Sequence, residues 1–409
     1  MSAAGGRVES RYAWARLAAA LALMTIGGSG MYAITVVLPR VQVDFGVGRS
    51  DASLPYTFTM IGFGLGGILM GRLADRYGVM IPVIIGALGL STGFVAAGSA
   101  GSLWQFNLSQ GLLIGLLGTS ATFAPLVADI SLWFTRRRGI AVAICISGNY
   151  LAGTVWPPLM QHYIDSAGWR QTYIGIGVFC LVAMLPLSLF LRRRPPLPER
   201  PAGRQAAGVT GYAGTLGLTP GTLQALLCVA GVACCVAMSM PQVHIVAYCG
   251  DLGYGPARGA EMLSLMLGCG IVSRLTFGWI SDHIGGLRTL LLGSTLQGIA
   301  LLLFLPFTGL VSLYLVSAMF GLFQGGIVPS YALIVREHFT PREAGARVGT
   351  VLMATLFGMA LGGWMSGAIF DATGSYRAAF VNGIAWNLVN MGIVAALLYR
   401  SRRRAAFSG

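Results

Sequence analysis

Twelve long apolar stretches constrain this chain more than any other feature of its sequence. They lie near residues 14–38, 54–72, 80–99, 105–132, 140–163, 171–191, 221–246, 260–280, 288–306, 311–335, 348–370 and 378–399. A bilayer core takes about 20 apolar residues of helix per crossing. Inside lipid the backbone must satisfy its own hydrogen bonds, so runs of this length predict helices. The reading is an all-α membrane protein with 12 transmembrane helices. Composition agrees, because only 10% of the 409 residues are charged, where soluble domains carry about 25%. That excludes a disordered chain, a nucleic-acid binder built on surface charge, and an ordinary soluble enzyme. The first stretch is long and eleven follow it, which argues against a cleavable signal peptide.

The net charge is +14, and every basic residue is arginine. Short arginine runs between apolar stretches are orientation signals rather than a polyanion-binding surface. On one side, tails and loops hold twenty-one arginines, among them Arg7, Arg11, Arg16, Arg72, Arg76, Arg136, Arg137, Arg138, Arg192, Arg288, Arg336 and Arg400. The other side holds five: Arg40, Arg49, Arg170, Arg258 and Arg377. Both termini are therefore expected in the cytoplasm, in the bacterial inner membrane. The one long polar interruption, 192–219, is rich in Pro, Gly and Arg and reads as a cytoplasmic linker. It separates an N-terminal six-helix bundle, 1–191, from a C-terminal one, 220–409. The seven cysteines are odd in number, lack CxxC spacing and sit mostly in apolar runs, so they read as packing residues. No metal cluster and no cofactor are expected.

The two halves repeat each other. Gly71-Arg72-Leu73-Ala74-Asp75-Arg76-Tyr77-Gly78 follows the second stretch, and Gly278-Trp279-Ile280-Ser281-Asp282-His283-Ile284-Gly285 follows the eighth, at an offset of 207 residues. Gly168-Trp169-Arg170 and Ser375-Tyr376-Arg377 precede the sixth and twelfth at the same offset. Parallel six-helix repeats put a substrate site at mid-membrane between the halves.

The run 71–78 resembles the loop signature of the major facilitator superfamily, G-x-L-a-D-r-x-G, although Val79 and Met80 replace its closing basic pair. The resemblance in topology covers essentially the whole chain and implies the major facilitator fold. It also implies gating roles for Gly71, Asp75, Arg76 and Gly78, and for Gly278 and Asp282 in the second half. Gly71 and Gly78 would allow close helix approach and a tight turn, and Asp75 could accept hydrogen bonds at a neighbouring helix end. Two further stretches resemble the bacterial monocarboxylate and oxalate/formate antiporter branch. One is Trp133-Phe134-Thr135-Arg136-Arg137-Arg138-Gly139-Ile140-Ala141; the other is Arg274-Leu275-Thr276-Phe277-Gly278-Trp279-Ile280-Ser281-Asp282.

Arg274 is the one basic residue that this reading places well inside a span. It precedes Asp282 by eight residues, which is about 12 Å of helix. A central arginine costs about 2.5–3.5 kcal/mol on insertion scales, so it should face a cavity or a partner. Its guanidinium stays charged and forks onto carboxylates. The alternative is an internal salt bridge, but no Asp or Glu sits at the same depth; the nearest in kind, Asp129, lies toward the cytoplasmic end of the fourth span. His244 sits in the seventh span beside Pro241, which is expected to break that helix. Bacterial lactate-type members of the resembling branch pair a histidine with the arginine, and the resemblance implies the same for His244 and Arg274. Histidine exchanges a proton near neutrality and arginine does not. Other polar residues at cavity depth are Tyr32, Ser120, Thr122, Asn149, Tyr150, Gln324, Tyr331 and Asn387. Of these Tyr32, Asn149 and Tyr331 stand out, because the resemblance places their helices along the cavity; each also reads as an interhelical hydrogen bond.

Oxalate exchangers of the branch add a lysine in the eleventh span, and here Val348 to Phe370 holds no basic residue. One fixed charge suits one carboxylate, since a second would be left unpaired in low dielectric. Animal monocarboxylate carriers have an acid one turn before the arginine, where this chain has Gly270. The reading is a secondary active transporter of a small lactate- or pyruvate-like monocarboxylate, coupled to protons, working as a monomer. The alternatives are an exporter of another small organic solute, drug or sugar, and a transporter-like sensor. An enzyme is not indicated, since no nucleophile–base pair or phosphate-binding loop appears.

Overall fold

The computed structural model describes residues 9–134, 136–193 and 216–407. The expected linker, 192–219, lies for the most part outside the described residues. Among the described residues, twelve helices are long and apolar enough to cross a membrane. They are α1 Arg11–Phe45, α2 Arg49–Tyr77, α3 Met80–Gly98, α4 Leu103–Trp133, α5 Arg138–Ala167, α6 Trp169–Leu189, α7 Pro220–Asp251, α8 Pro256–Ile284, α9 Gly286–Leu303, α10 Leu310–His338, α11 Glu343–Thr373 and α12 Tyr376–Arg403. The helices follow the apolar stretches of the sequence and extend past them at many ends by up to about two turns, while α3, α6 and α9 end one to three residues short.

The repeat shows in several helix ends. The bounds of α2 and α8 differ by 207 residues at both ends, and the starts of α4 and α10 and of α6 and α12 differ by the same number. Gly46 after α1 and Gly253 after α7 both take positive φ, as do Gly78 after α2 and Gly285 after α8. That backbone region is open to glycine at little cost, which is why these four positions end helices in matching places.

Large apolar side chains stay exposed along these helices, including Leu65, Ile68 and Leu69 on α2, Val178 and Val182 on α6, and Val272, Leu275 and Trp279 on α8. On a water-soluble surface such faces would be patches; on membrane spans they are the lipid-facing sides. The helices bury small residues against one another. In the N-terminal half, Gly177 of α6 lies against Ser91 and Phe94 of α3, and Gly86, Gly89 and Gly93 of α3 against α4. Close approach of backbones gives the dispersion contact that holds membrane helices together in the absence of a hydrophobic drive.

The chain divides into two compact units, Met1–Pro198 with Val243–Gly268, and Glu199–Gln242 with Cys269–Gly409. The first therefore takes in the tip of the α7–α8 hairpin as well as α1–α6. Within this unit Arg49 donates from Nη2 to Asp251 Oδ1 at 3.1 Å, and Ser264 Oγ donates to the Thr154 carbonyl. These contacts fasten the hairpin tip to α2 and α5.

Three details differ from the sequence reading. α1 starts at Arg11 on a Ser10 cap, so Arg16, counted there with the cytoplasmic tail, lies inside the helix and is fully buried. α7 runs unbroken through Pro241, because a proline removes one backbone donor while the neighbouring turns keep theirs. α10 is interrupted instead, between Gln324 and Ile327 at Gly325-Gly326, and α4 carries wide π-type turns over Ser109–Thr119.

Candidate functional site

Arg274 sits in the interior of α8, part-buried. The exposed Val272, Leu275 and Trp279 mark the lipid side of that helix. At about 100° per residue Arg274 is about 200° round the helix from Val272, turned away from lipid. Its backbone is packed against the interruption of α10. Gly325 N donates to Ser273 Oγ at 3.0 Å, and a methyl group on Gly325 would fall 2.6 Å from the Gly270 carbonyl and 2.9 Å from Arg274 N. A methyl group on Gly326 would run into the Phe277 side chain. Only glycine lets α10 approach α8 this closely, and the approach fixes the turn from which Arg274 projects.

At the same break Gln324 ends the first half of α10, with its side chain 1% exposed. Gln242 on α7 donates from Nε2 to Gln324 Oε1 at 2.7 Å. Sequence reasoning named Gln324 only among several polar residues, since nothing in its neighbours marks it.

Tyr331, a residue of the second half of α10, is completely buried and donates its hydroxyl to Asn390 Oδ1 at 2.8 Å. Asn390 in turn donates to Ser294 Oγ at 2.7 Å, and Asn387 to the Ser294 carbonyl at 2.9 Å. The Tyr331 hydroxyl and Asn387 thus knit α9, α10 and α12 together.

In the first unit, His244 is fully buried on α7. Tyr32 and Asn149 both lie along the seam of α1 and α5, one helical turn apart. A methyl group on Gly153 would lie 2.8 Å from the Tyr32 ring, and one on Gly28 would lie 3.6 Å from Asn149 Oδ1 and against Ala152. The structure therefore puts Tyr32 and Asn149 on one seam of the first unit, while Arg274 and Tyr331 belong to the second unit.

Asp129 is held by Arg16. Arg16 Nε donates to Oδ2 at 2.7 Å and Nη2 to Oδ1 at 2.8 Å, a forked pair with both side chains almost wholly buried. Nη1 also donates to the carbonyls of Phe190 and Arg193, and the guanidinium lies 4.8 Å over the Trp133 ring. The second intramembrane arginine is thus a tie between α1, α4 and the end of α6, and Asp129 is fully engaged within its own unit. Sequence reasoning missed it because an arginine near the end of a span reads as an orientation signal.

Of the loop residues, Gly78 has φ +90° and makes the tight turn. Gly71 and Gly278 face open space, so the close helix approach expected of Gly71 is not found. Asp75, Arg76 and Asp282 are exposed, with the Arg76 guanidinium 5.2 Å from the Tyr77 ring centre. The carboxylates that do meet helix starts are others. Glu9 accepts from the backbone N–H groups of Arg136 and Arg137, ahead of α5, and Glu337 accepts from Gly286 N at the start of α9. Each satisfies donors that a helix start leaves open.

Comparison with known proteins gives a consistent picture. The model of the Major Facilitator Superfamily matches residues 18–272 and 225–408. Monocarboxylate transporter 13 of Bos taurus is 31% identical over 357 residues, covering 85% of this chain and 79% of its own length. The Penicillium oxalicum MFS-type transporter opdF is 28% identical over 80% of this chain and 75% of its own. Among solved structures, a bacterial homolog of the human lysosomal transporter Spinster, inward-facing and unoccupied, superposes with a TM-score of 0.68 at 14% identity, over 96% of both chains. The nucleoside transporter NupG does so with a TM-score of 0.70 at 14% identity, over 92% of this chain and 99% of its own.

Proposed function

Because the chain belongs to the Major Facilitator Superfamily, in its monocarboxylate-transporter-like branch, and is an integral membrane transporter rather than an enzyme, we propose that it moves a small lactate- or pyruvate-like monocarboxylate by alternating access. The observation that carries this reading is Arg274, a permanent cation inside a membrane helix and turned from the lipid side. A guanidinium there offers a forked pair of donors to a carboxylate in a medium of low dielectric, where such a pair is strong. A single negative charge matches a single positive one, and a dianion would leave a carboxylate without a counter-charge.

His244, buried on α7, is assigned a share in substrate binding and in proton coupling, since the arginine stays charged throughout. Tyr32 and Asn149, neighbours on the α1–α5 seam, contribute hydrogen bonds to the organic part of the substrate. Tyr331 acts from α10 through its bond to Asn390, which holds the helix that packs on Arg274. The loops 71–78 and 278–285, through Gly71, Asp75, Arg76, Gly78, Gly278 and Asp282, latch the cytoplasmic gate. The protein is placed as a monomer in the inner membrane, with both termini cytoplasmic.

The test is uptake of radiolabelled lactate and pyruvate into proteoliposomes, wild type against Arg274→Ala, with and without an inward proton gradient. Saturable uptake that rises with the gradient and disappears in the variant is the expected result. Undiminished uptake by Arg274→Ala would remove the arginine from the site, and uptake indifferent to the gradient would remove the proton.

A further inference from the structure

Gln324 holds an unused hydrogen-bond donor on the stretch of α10 that packs against the α8 backbone at Arg274. Its side chain is 1% exposed, and its Oε1 is taken by Gln242. Its Nε2, which carries two N–H groups, meets no acceptor among the described residues. Buried polar groups are satisfied in the great majority of cases, so a donor at this depth is suited to an acceptor that binds there. Gln242 donates to the amide oxygen, and in this arrangement the nitrogen is the end without an acceptor among the described residues.

The position of that donor follows from the interruption of α10. Gln324 is the last residue before it, and the next residue, Gly325, donates to Ser273 Oγ and lies with its Cα against the backbone of Gly270 and Arg274. The empty amide donor and the guanidinium therefore issue from adjoining stretches of backbone within one compact unit. Both are fixed at their roots, the one by a helix end and a glutamine partner, the other by a close helix contact.

We propose that Gln324 is a specificity-determining residue that donates from Nε2 to an oxygen on the carbon adjacent to the substrate carboxylate. The inference rests on the monocarboxylate reading and deepens it: Arg274 takes the carboxylate and Gln324 takes the hydroxyl or keto oxygen beside it. A 2-hydroxy acid and a 2-oxo acid both present an acceptor there, so lactate and pyruvate are served alike. Propanoate has the same length and charge but no such oxygen, and it would leave the buried donor empty. A site built to hydrogen-bond a substrate oxygen rejects the analogue that lacks it more strongly than a hydrophobic site rejects a change of shape.

The experiment is inhibition of labelled lactate uptake into proteoliposomes by unlabelled lactate, pyruvate and propanoate, for wild type, Gln324→Met and Gln324→Glu. Methionine keeps the volume and loses the donor; glutamate keeps the acceptor for Gln242 and loses the donor. The ratio of inhibition constants within one preparation does not depend on how much of the protein is folded. Where a variant no longer transports, the same ratio is read from the concentration of each acid that raises the melting temperature of the purified protein. Wild type is expected to prefer lactate and pyruvate over propanoate by about tenfold, the scale of one hydrogen bond, with the ratio falling toward one in both variants. Wild type that carries lactate and is inhibited equally by propanoate overturns the inference and leaves the monocarboxylate reading intact. A preference that persists in both variants does the same. Wild type that neither carries nor binds any of the three acids overturns both readings together.

Discussion

The α2–α4 and α8–α10 pairs occupy the same register in the two halves, yet they divide their glycines differently: α2 and α4 both bring glycine to the first seam, while α8 has Cys269, Ser273 and Arg274 where α2 has Gly62, Gly66 and Gly67. On α2, Gly62 and Gly66 let the backbone of α4 come close, at Gly111 and Leu116. In the second half Gly325 and Gly326 of α10 press onto Gly270, Ser273 and Phe277 of α8. At the 207-residue offset Gly66 corresponds to Ser273 and Gly67 to Arg274. The lipid faces correspond too, Leu65 and Ile68 with Val272 and Leu275. With Gly325 and Gly326 of α10 giving the close approach, α8 bears side chains at positions where α2 has glycine. The C-terminal member of the repeat can thus carry a charge at a position its counterpart leaves bare, and the cost of close packing falls on α10 as a break in the helix.

Each element of that contrast can be broken by substitution. The N-terminal half has a buried arginine of its own, Arg16, and its work is structural. Asp129→Ala would leave the guanidinium buried without its carboxylate and is expected to destabilise the protein by about 3–5 kcal/mol. The check is the melting temperature in detergent, with the substrate KM of the remaining folded protein unchanged. A smaller loss is expected from adding one methyl group at either tight seam. Gly66→Ala meets the Leu116 carbonyl and Gly326→Ala meets Phe277, each at a cost of about 1–3 kcal/mol by overpacking. Gly67→Ala is the control, since a methyl group there meets nothing within 4 Å and should leave stability within about 0.5 kcal/mol of wild type. The smallest effect belongs to Tyr331→Phe, which deletes one interhelical hydrogen bond and should cost about 0.6 kcal/mol. A loss of transport in Tyr331→Phe far larger than its loss of stability would give the hydroxyl a direct part in substrate binding.

The spans were legible because lipid leaves a chain few alternatives, and so was the repeat, because turns that need glycine or a buried ring recur at one spacing. Arg274 could be singled out for the same reason, as a charge where charges are expensive. Other features depend on which face of a helix meets which neighbour. Arg16 and Asp129 are 113 residues apart, and each alone reads as a residue near a membrane boundary. Gly325 and Gly326 look like any of the chain's many glycines until Phe277 and the Arg274 backbone are seen against them. Pro241 carried a local signal for a break, but the surrounding turns of α7 keep their hydrogen bonds and override it. Gln324 shows the same limit, since its sequence context does not reveal that its oxygen is occupied and its nitrogen is empty.

The central claim is that the Arg274 charge binds the substrate carboxylate, and equilibrium binding of lactate to the purified protein tests it most directly. Wild type should bind saturably, and Arg274→Gln, which keeps hydrogen-bonding capacity but loses the charge, should bind at least about 30-fold more weakly, the lower end of what removing one member of a buried charge pair costs. Equal binding by the two proteins would contradict the account.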